Sequence, residues 1–237
     1  MKRAVAFASL MAAGLTVATP AAACDVALAL TVDVSGSIDP REYRIQMDGL
    51  ADALDNGDVR DALIAADAMV TIMQWSGAKR QKVTVPWVNT RTQADIDGLI
   101  RNLRTAPRAF KHFSTAIGDA ILAATLMHTQ IAGRCDRSVI DVSGDGRSNE
   151  GATLVDTRRA LARTEITVNG LAIEKDDSQL SDYFRDEVIT GPGSFVVTAK
   201  TFDDYARAIR RKLLREIAKP IVRQDDADAA VEVAQND

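Results

Sequence analysis

The chain has 237 residues, is 46% hydrophobic and 26% charged, and carries a formal net charge of −4. An acidic protein without a basic cluster is a poor candidate for binding a phosphate backbone, so nucleic acid is not expected as a partner; cation binding suits this charge balance. The length fits one α/β domain, and the apolar stretch at the N-terminus is too short and too poorly flanked for a membrane span.

Residues 1–23 read as a secretory signal peptide. Lys2 and Arg3 form a basic start, Ala4 to Val17 is uncharged and mostly apolar, and Ala21-Ala22-Ala23 offers a small-residue cleavage site before Cys24. The expected location is periplasmic or secreted, with no transmembrane segment in the mature chain. An uncleaved anchor is one alternative, and a lipid anchor on Cys24 is another. Ala21 stands where a bacterial lipobox usually has Leu, which places that reading second.

Val26–Val34 is an apolar run that reads as a buried strand, and Pro40 opens a helix reaching about Leu54 with Tyr43, Met47, Leu50 and Leu54 at helical spacing. Asp58–Ala65 adds a further helical turn or two. Ala68–Trp75 is a second strand. Val83–Val88 is a third, joined to it by a short turn and therefore antiparallel. Pro86 lacks an N–H, which puts this strand at the sheet edge. Helices follow over Thr92–Leu103 and Thr115–Gln130, a strand over Ser138–Ser143, a helix over Thr153–Arg163 and a strand over Ile166–Ile173. A short helix at Asp182–Val188, a short strand at Ser194–Thr198 and a last helix at Phe202–Ile217 complete the core. Arg210, Arg211, Lys212 and Arg215 are expected on a solvated face of that last helix. The domain is expected over residues 24–219, and 220–237 as an acidic disordered tail. The alternation predicts an α/β fold: a doubly wound, mostly parallel six-stranded sheet with helices on both faces and one antiparallel edge strand.

Cys24 and Cys135 are the two cysteines. Each begins an apolar stretch that leads, nine or ten residues on, to an aspartate, Asp33 or Asp145. On neighbouring parallel strands both thiols would lie at one end of the sheet, so a disulfide is favoured; two free thiols, or a lipidated Cys24, are the alternatives.

The functional signal lies at the other end of those strands. Asp33-x-Ser35-x-Ser37 closes the first strand, Thr115 opens a buried helix, and Asp145 sits in Ser143-Gly144-Asp145-Gly146. Carboxylates and hydroxyls on rigid mounts are hard oxygen donors suited to Mg²⁺, Mn²⁺ or Ca²⁺. In a doubly wound sheet, ligands bind at strand carboxyl ends. The order and spacing of these five residues resemble the von Willebrand factor A (VWA) domain and its metal-ion-dependent adhesion site (MIDAS), over about Cys24 to Ile217. The whole also resembles a group of exported proteobacterial A-like proteins, which adds a location and no activity.

The resemblance implies direct ligation by Ser35 and Ser37, ligation by Thr115 directly or through water, and largely water-mediated roles for Asp33 and Asp145. It implies one divalent cation, Mg²⁺ first and Mn²⁺ or Ca²⁺ as alternatives, and an open position filled by the Asp or Glu of a protein partner. Many family members have Thr before the last Asp; here it is Gly144. Trp75, His112 and Asn149 are candidates for a partner-binding rim, against the simpler readings of Trp75 packed beneath a loop and of His112 and His128 as surface histidines. Ser148, Asn149 and Glu150 are expected to cap the helix that follows them.

No G-x-S-x-G elbow, P-loop or G-x-G-x-x-G is present, and the Asp33 loop lacks the second Asp of a phosphatase nucleophile motif. An enzyme is therefore not expected. The alternatives to an adhesion module are a metal-dependent hydrolase and a structural envelope protein that uses the fold without metal.

Overall fold

The computed structural model describes residues 24–111 and 113–218; the expected signal peptide, the acidic tail and His112 lie outside the described residues. In chain order the elements are β1 (Cys24–Asp33), α1 (Pro40–Asp55), α2 (Gly57–Ala65), β2 (Met69–Trp75), β3 (Gln81–Asn89), α3 (Gln93–Thr105) and α4 (Ile117–Thr129). They continue with β4 (Cys135–Gly144), α5 (Leu154–Leu161), β5 (Ile166–Ile173), α6 (Leu180–Tyr183) running into a π-helical turn at Phe184–Val188, β6 (Val196–Ala199), and α7 (Tyr205–Ile217) after a 3₁₀ turn.

The six strands run in the order β3-β2-β1-β4-β5-β6. All neighbours are parallel except β3, which pairs antiparallel with β2 at the edge, as Pro86 demands. The register of that pair shifts on both sides of Ile72, so β3 departs from a regular ladder close to the proline. The chain winds one way from β1 to β2 and the other way from β4 to β5. The strand order therefore reverses between β1 and β4, and the loops leaving these two strands open at the switch point.

Period-two alternation along β1 divides the core. Val26, Leu28, Leu30 and Val32 face a layer built from α1, α3 and α7, and Ala29 faces the layer of α4. The stripe expected on α1 (Tyr43, Met47, Leu50, Leu54) is buried there, as is that of α3 (Ile96, Leu99, Ile100, Leu103). Each such side chain contributes about 1.5–3 kcal/mol by leaving water. Both helices start on complete capping boxes, Asp39 with Glu42 and Thr92 with Asp95.

Cys24 and Cys135 are register partners on β1 and β4 and form a disulfide with their Cα atoms 4.5 Å apart. A lipid thioether would need the same Cys24 sulfur, so the two readings exclude one another and the fold realises the disulfide.

Three expectations are corrected. Lys212 is not on a solvated face: it is 0% exposed, and its ammonium pairs with Asp141 at 2.7 Å and with Glu216. Asn169 Nδ2 donates to Glu216 at 2.9 Å, and burial raises the Glu216 carboxyl to about 7 against the pull of Lys212. His128 is not a surface residue. It is buried edge-on against Trp87, its Nε2 lies 3.2 Å from the Val139 carbonyl, and burial pushes it down to about 4. Ser148 and Asn149 do not cap the following helix. Thr153 caps α5, while Ser148 turns back to accept from Ile117 N–H at the start of α4 and Asn149 from Thr115 N–H just before it.

Replacing Lys212 by Met leaves two carboxylates buried without their cation and should cost about 3–5 kcal/mol, read as the midpoint of denaturant unfolding. Because His128 resists protonation in the folded state, its neutral form supports folding fully above pH 6.5, and that support drains as pH falls from 6.5 toward 4. Across that window wild type should lose up to about 1.4 kcal/mol per pH unit that His128→Leu does not lose. Parallel stability–pH curves for the two proteins would refute the assignment.

Candidate functional site

The β1–α1 loop leaves the sheet at Asp33, the last residue of its strand. Asp33 Oδ1 accepts the Ser35 N–H at 2.7 Å, closing a tight turn that brings the Ser35 and Ser37 hydroxyls to 3.3 Å of one another. Ser37 Oγ donates to Asp145 Oδ1 at 2.8 Å, across 108 residues of sequence. Asp145 follows directly on β4. Thr115 approaches from the third side, where a Cβ added to Gly146 would stand 4.0 Å from its hydroxyl oxygen. The structure thus brings Asp33, Ser35, Ser37, Thr115 and Asp145 together at the switch point.

Main-chain hydrogen bonds hold these loops to one another. Gly36 N–H donates to the Phe113 carbonyl at 2.8 Å, Ala116 N–H to Ser76 at 2.9 Å, and Asn149 N–H to Thr115 at 2.9 Å. The Asn149 side chain accepts in return from Thr115 N–H at 3.0 Å, so Asn149, exposed at the rim, fixes the position of Thr115. Gly118 permits the close seating of α4: a Cβ there would collide with the Ala152 carbonyl.

Each carboxylate of the site keeps one oxygen without a hydrogen-bond donor among the described residues. Asp33 is fully buried and Asp145 is 5% exposed. Among the described residues Asp33 Oδ2 and Asp145 Oδ2 accept no hydrogen bond. Burial pushes Asp33 up to about 8, helped by the charge of Asp145 and opposed by the Ser35 hydrogen bonds and by Arg108. Burial also raises Asp145, against the hydrogen bond from Ser37. Two orphaned carboxylate oxygens beside three hydroxyls form a donor set that fits a hard divalent cation. Among the described residues no group of three or more His, Cys, Asp or Glu side chains is placed to hold a metal, so such a cation would rest mainly on hydroxyl oxygens and water.

Gly144 has a clear geometric role. A Cβ there would stand 3.1 Å from Asp33 Oδ2 and 3.6 Å from the Trp75 ring. The missing side chain leaves space around the orphaned oxygen. Trp75 itself is 0% exposed beneath the loops, so it is not part of the rim; its contribution is packing. His112 lies outside the described residues.

Sequence reasoning missed three residues. Arg108 Nη2 donates to the Val34 carbonyl at 3.0 Å and the Ser35 carbonyl at 2.7 Å, pinning the serine loop from below. Lys175 pairs with Glu42 at 2.6 Å and draws Asp145 toward its charged form. Phe113, 41% exposed beside Thr115, packs under the Arg80 guanidinium at 4.2 Å and is the exposed aromatic that Trp75 is not. Phe113 could have been found from its place next to the Ser114-Thr115 pair. Arg108 and Lys175 carry no motif that would single them out.

No curated protein matches the chain. Among solved structures it is similar to proximal thread matrix protein 1 of the mussel byssus, with 16% identity and a TM-score of 0.62 over 81% of this chain and 48% of that one. It is also similar to the pilus adhesin SpaC of Lactobacillus rhamnosus GG (14% identity, TM-score 0.60, 82% of this chain and 30% of that one). A von Willebrand factor type A protein from Catenulispora acidiphila is a third (14% identity, TM-score 0.59, 84% and 44%). The chain therefore spans less than half the length of each of these three. The mussel protein has also been solved with zinc occupying its MIDAS motif. At these identities the likeness establishes the fold, that of VWA-type domains. Over residues 23–221 the chain matches one sequence family, and with the match covering most of its length it belongs to that family, described as "Protein of unknown function (DUF1194)".

Proposed function

We propose that this is an exported, adhesion-type VWA module that binds a protein partner through a divalent cation held by Asp33, Ser35, Ser37, Thr115 and Asp145, with the partner's Asp or Glu completing the coordination. The observation that carries this reading is that Asp33 and Asp145, whose Oδ1 atoms accept from the Ser35 N–H and the Ser37 hydroxyl of one hydroxyl cluster, each keep a buried, unpartnered Oδ2. Ser35, Ser37 and Thr115 would supply neutral direct ligands, and the two carboxylates would orient them and hold ligated water. When bound, a cation with few direct anionic ligands keeps strong Lewis acidity and attracts an incoming carboxylate. Mg²⁺ fits this partial shell best because it readily retains water.

Three further observations support the reading. Ser37 and Gly36 are exposed, so the hydroxyl cluster has a mouth. No described helix is long and apolar enough to cross a membrane, and neighbours in fold include an adhesin and a byssus matrix protein. In the mussel protein the corresponding motif takes zinc. Export on residues 1–23, with the mature chain beginning at Cys24, is part of the same proposal and agrees with the disulfide.

Calorimetric titration of the exported chain with Mg²⁺ and Mn²⁺ should give saturable one-site binding that Asp33→Ala abolishes; equal heats from the two proteins would remove the site. Saturation at about 100 times Kd should stabilise the fold by about 2.7 kcal/mol, and EDTA should reverse the gain. Asp33→Asn keeps the Oδ1 acceptor for Ser35 while abolishing the cost of burying or protonating a carboxylate there. In the cation-free state it should melt above wild type, by about 2–4 °C for each kcal/mol recovered, and show no response to cation. A lower melting temperature than wild type in EDTA would contradict the electrostatic account. Partner capture should need both cation and Asp33; capture that survives EDTA and Asp33→Ala would overturn the adhesion reading.

A further inference from the structure

A groove of about 670 Å³ runs from the mouth of the hydroxyl cluster along the start of α1. Ser37 belongs to both groove and cluster, so a segment that reaches the one lies against the other. Ile38, Pro40, Tyr43 and Pro107 give the groove apolar walls, and Arg44, Arg108 and Lys111 give it positive charge. Not all of that charge is available. Arg44 is paired with Asp48 and also donates to the Arg104 carbonyl. Asp39, the carboxylate in the wall, accepts from the Glu42 N–H as the cap of α1.

Arg108 and Lys111 remain. Among the described residues neither forms an ion pair with a carboxylate. Arg108 Nη2 is occupied by the Val34 and Ser35 carbonyls, while its Nε is buried without an acceptor. A chain with a formal charge of −4 thus presents two cationic groups without an ion pair among the described residues on the wall of a groove that opens onto the cation site, Arg108 also offsetting the charge of Asp33. A glutamate side chain matches that wall: its methylenes lie on proline and isoleucine, and its carboxylate meets a guanidinium and an ammonium.

We propose that the partner segment carries two acidic residues, one completing the cation and a second seated in this groove on Arg108 and Lys111. The inference rests on the adhesion reading and adds to it the kind of segment recognised, an acidic one rather than a lone carboxylate. Charge complementarity of this sort sets specificity and the rate of encounter more than bulk affinity.

The test uses the full exported chain with Mg²⁺ and three series of acetylated, amidated peptides: Glu–glycine linker–Glu, Glu–linker–Gln and Gln–linker–Gln. Linkers of about one to three glycines cover the reach of an extended segment at roughly 3.5 Å per residue. Dissociation constants come from calorimetry, with the cation titration run alongside. The best di-acidic peptide should bind about tenfold more tightly than its mono-acidic counterpart, the size of one charge-assisted contact. That ratio should collapse toward about one in Lys111→Glu and shrink as salt is raised.

Equal affinities of the di- and mono-acidic peptides for the wild type, or a ratio that Lys111→Glu leaves unchanged, would overturn the proposal while leaving the cation site standing. No cation uptake, with Lys111-dependent binding of the di-acidic peptide persisting in EDTA, would overturn the adhesion reading and leave the groove. Absence of binding by every peptide in the presence of Mg²⁺ would overturn both. Arg108 is unsuited to the discriminating substitution because it also supports the serine loop.

Discussion

Asp33 and Asp145 lie side by side out of water, each with an oxygen that no hydrogen bond satisfies. Left to itself such a pair opposes folding, because each charge loses its hydration and repels the other; the rise of Asp33 to about 8 expresses that conflict. Much of the surrounding structure holds the pair in place despite it. β1 and β4 are adjacent, locked at one end by Cys24–Cys135 and held in register to Val32–Ser143. The turn after β1 is closed by Ser35 N–H on Asp33 and fixed by Arg108, and the Asp145 turn leaves room for Oδ2 because Gly144 carries no side chain. A fold that retains an unsatisfied carboxylate pair so firmly is organised around what would satisfy it.

The second buried ionic group gives the contrast that makes this argument more than a general statement about charge. Lys212, Asp141, Glu216 and Asn169 are as thoroughly buried as the aspartates of the site, yet the ammonium lies between two carboxylates and the amide donates to one of them. In this cluster Lys212 is ion-paired with both carboxylates, although Glu216 Oε2 also accepts no hydrogen bond among the described residues, and the cluster ties α7 to β4 and β5. The same fold therefore has the means to neutralise a buried carboxylate with its own cation and does so under α7. At the mouth of the switch point Lys175 reaches Glu42, and neither unpartnered oxygen of the aspartate pair has a protein donor. In the proposed reading an external cation satisfies the aspartate pair, on which Arg108 and Lys175 act without forming an ion pair with either aspartate among the described residues.

What was legible in the sequence was whatever local periodicity and turn chemistry dictate. Ile166–Ile173 is a strand with the expected bounds, Pro86 marks the edge, and Pro40 with Asp39 starts α1, because these signals act within a few residues. The five site residues are read together through the resemblance to VWA domains, Asp33 closing β1, Ser35 and Ser37 in the turn after it, Thr115 just before α4 and Asp145 just after β4. The misses all depend on partners remote in the chain. Lys212 looked like part of a basic surface run because its reason for burial is Asp141, some seventy residues earlier. His128 is buried by Trp87 and Val139, and Trp75 by the Gly144 turn. Ser148 and Asn149 have the composition of an N-cap but turn to the preceding helix, Ser148 accepting from its first N–H and Asn149 from Thr115 just before it, a direction that residue preference alone does not encode.

Arg108 connects the site to the surface beyond it. One guanidinium nitrogen supports the serine loop through two main-chain carbonyls, and the same group belongs to the wall of the neighbouring groove. Whatever seats against that wall therefore presses on the support of Ser35, and whatever draws Ser35 inward shifts the wall. Two positions of one segment read by physically joined elements are thereby coupled, the gain of about tenfold from the second acidic residue being read through the same side chain that supports the first. The coupling follows from a single side chain shared between loop and groove and needs no movement of the sheet, which the disulfide and the β1–β4 register hold rigid.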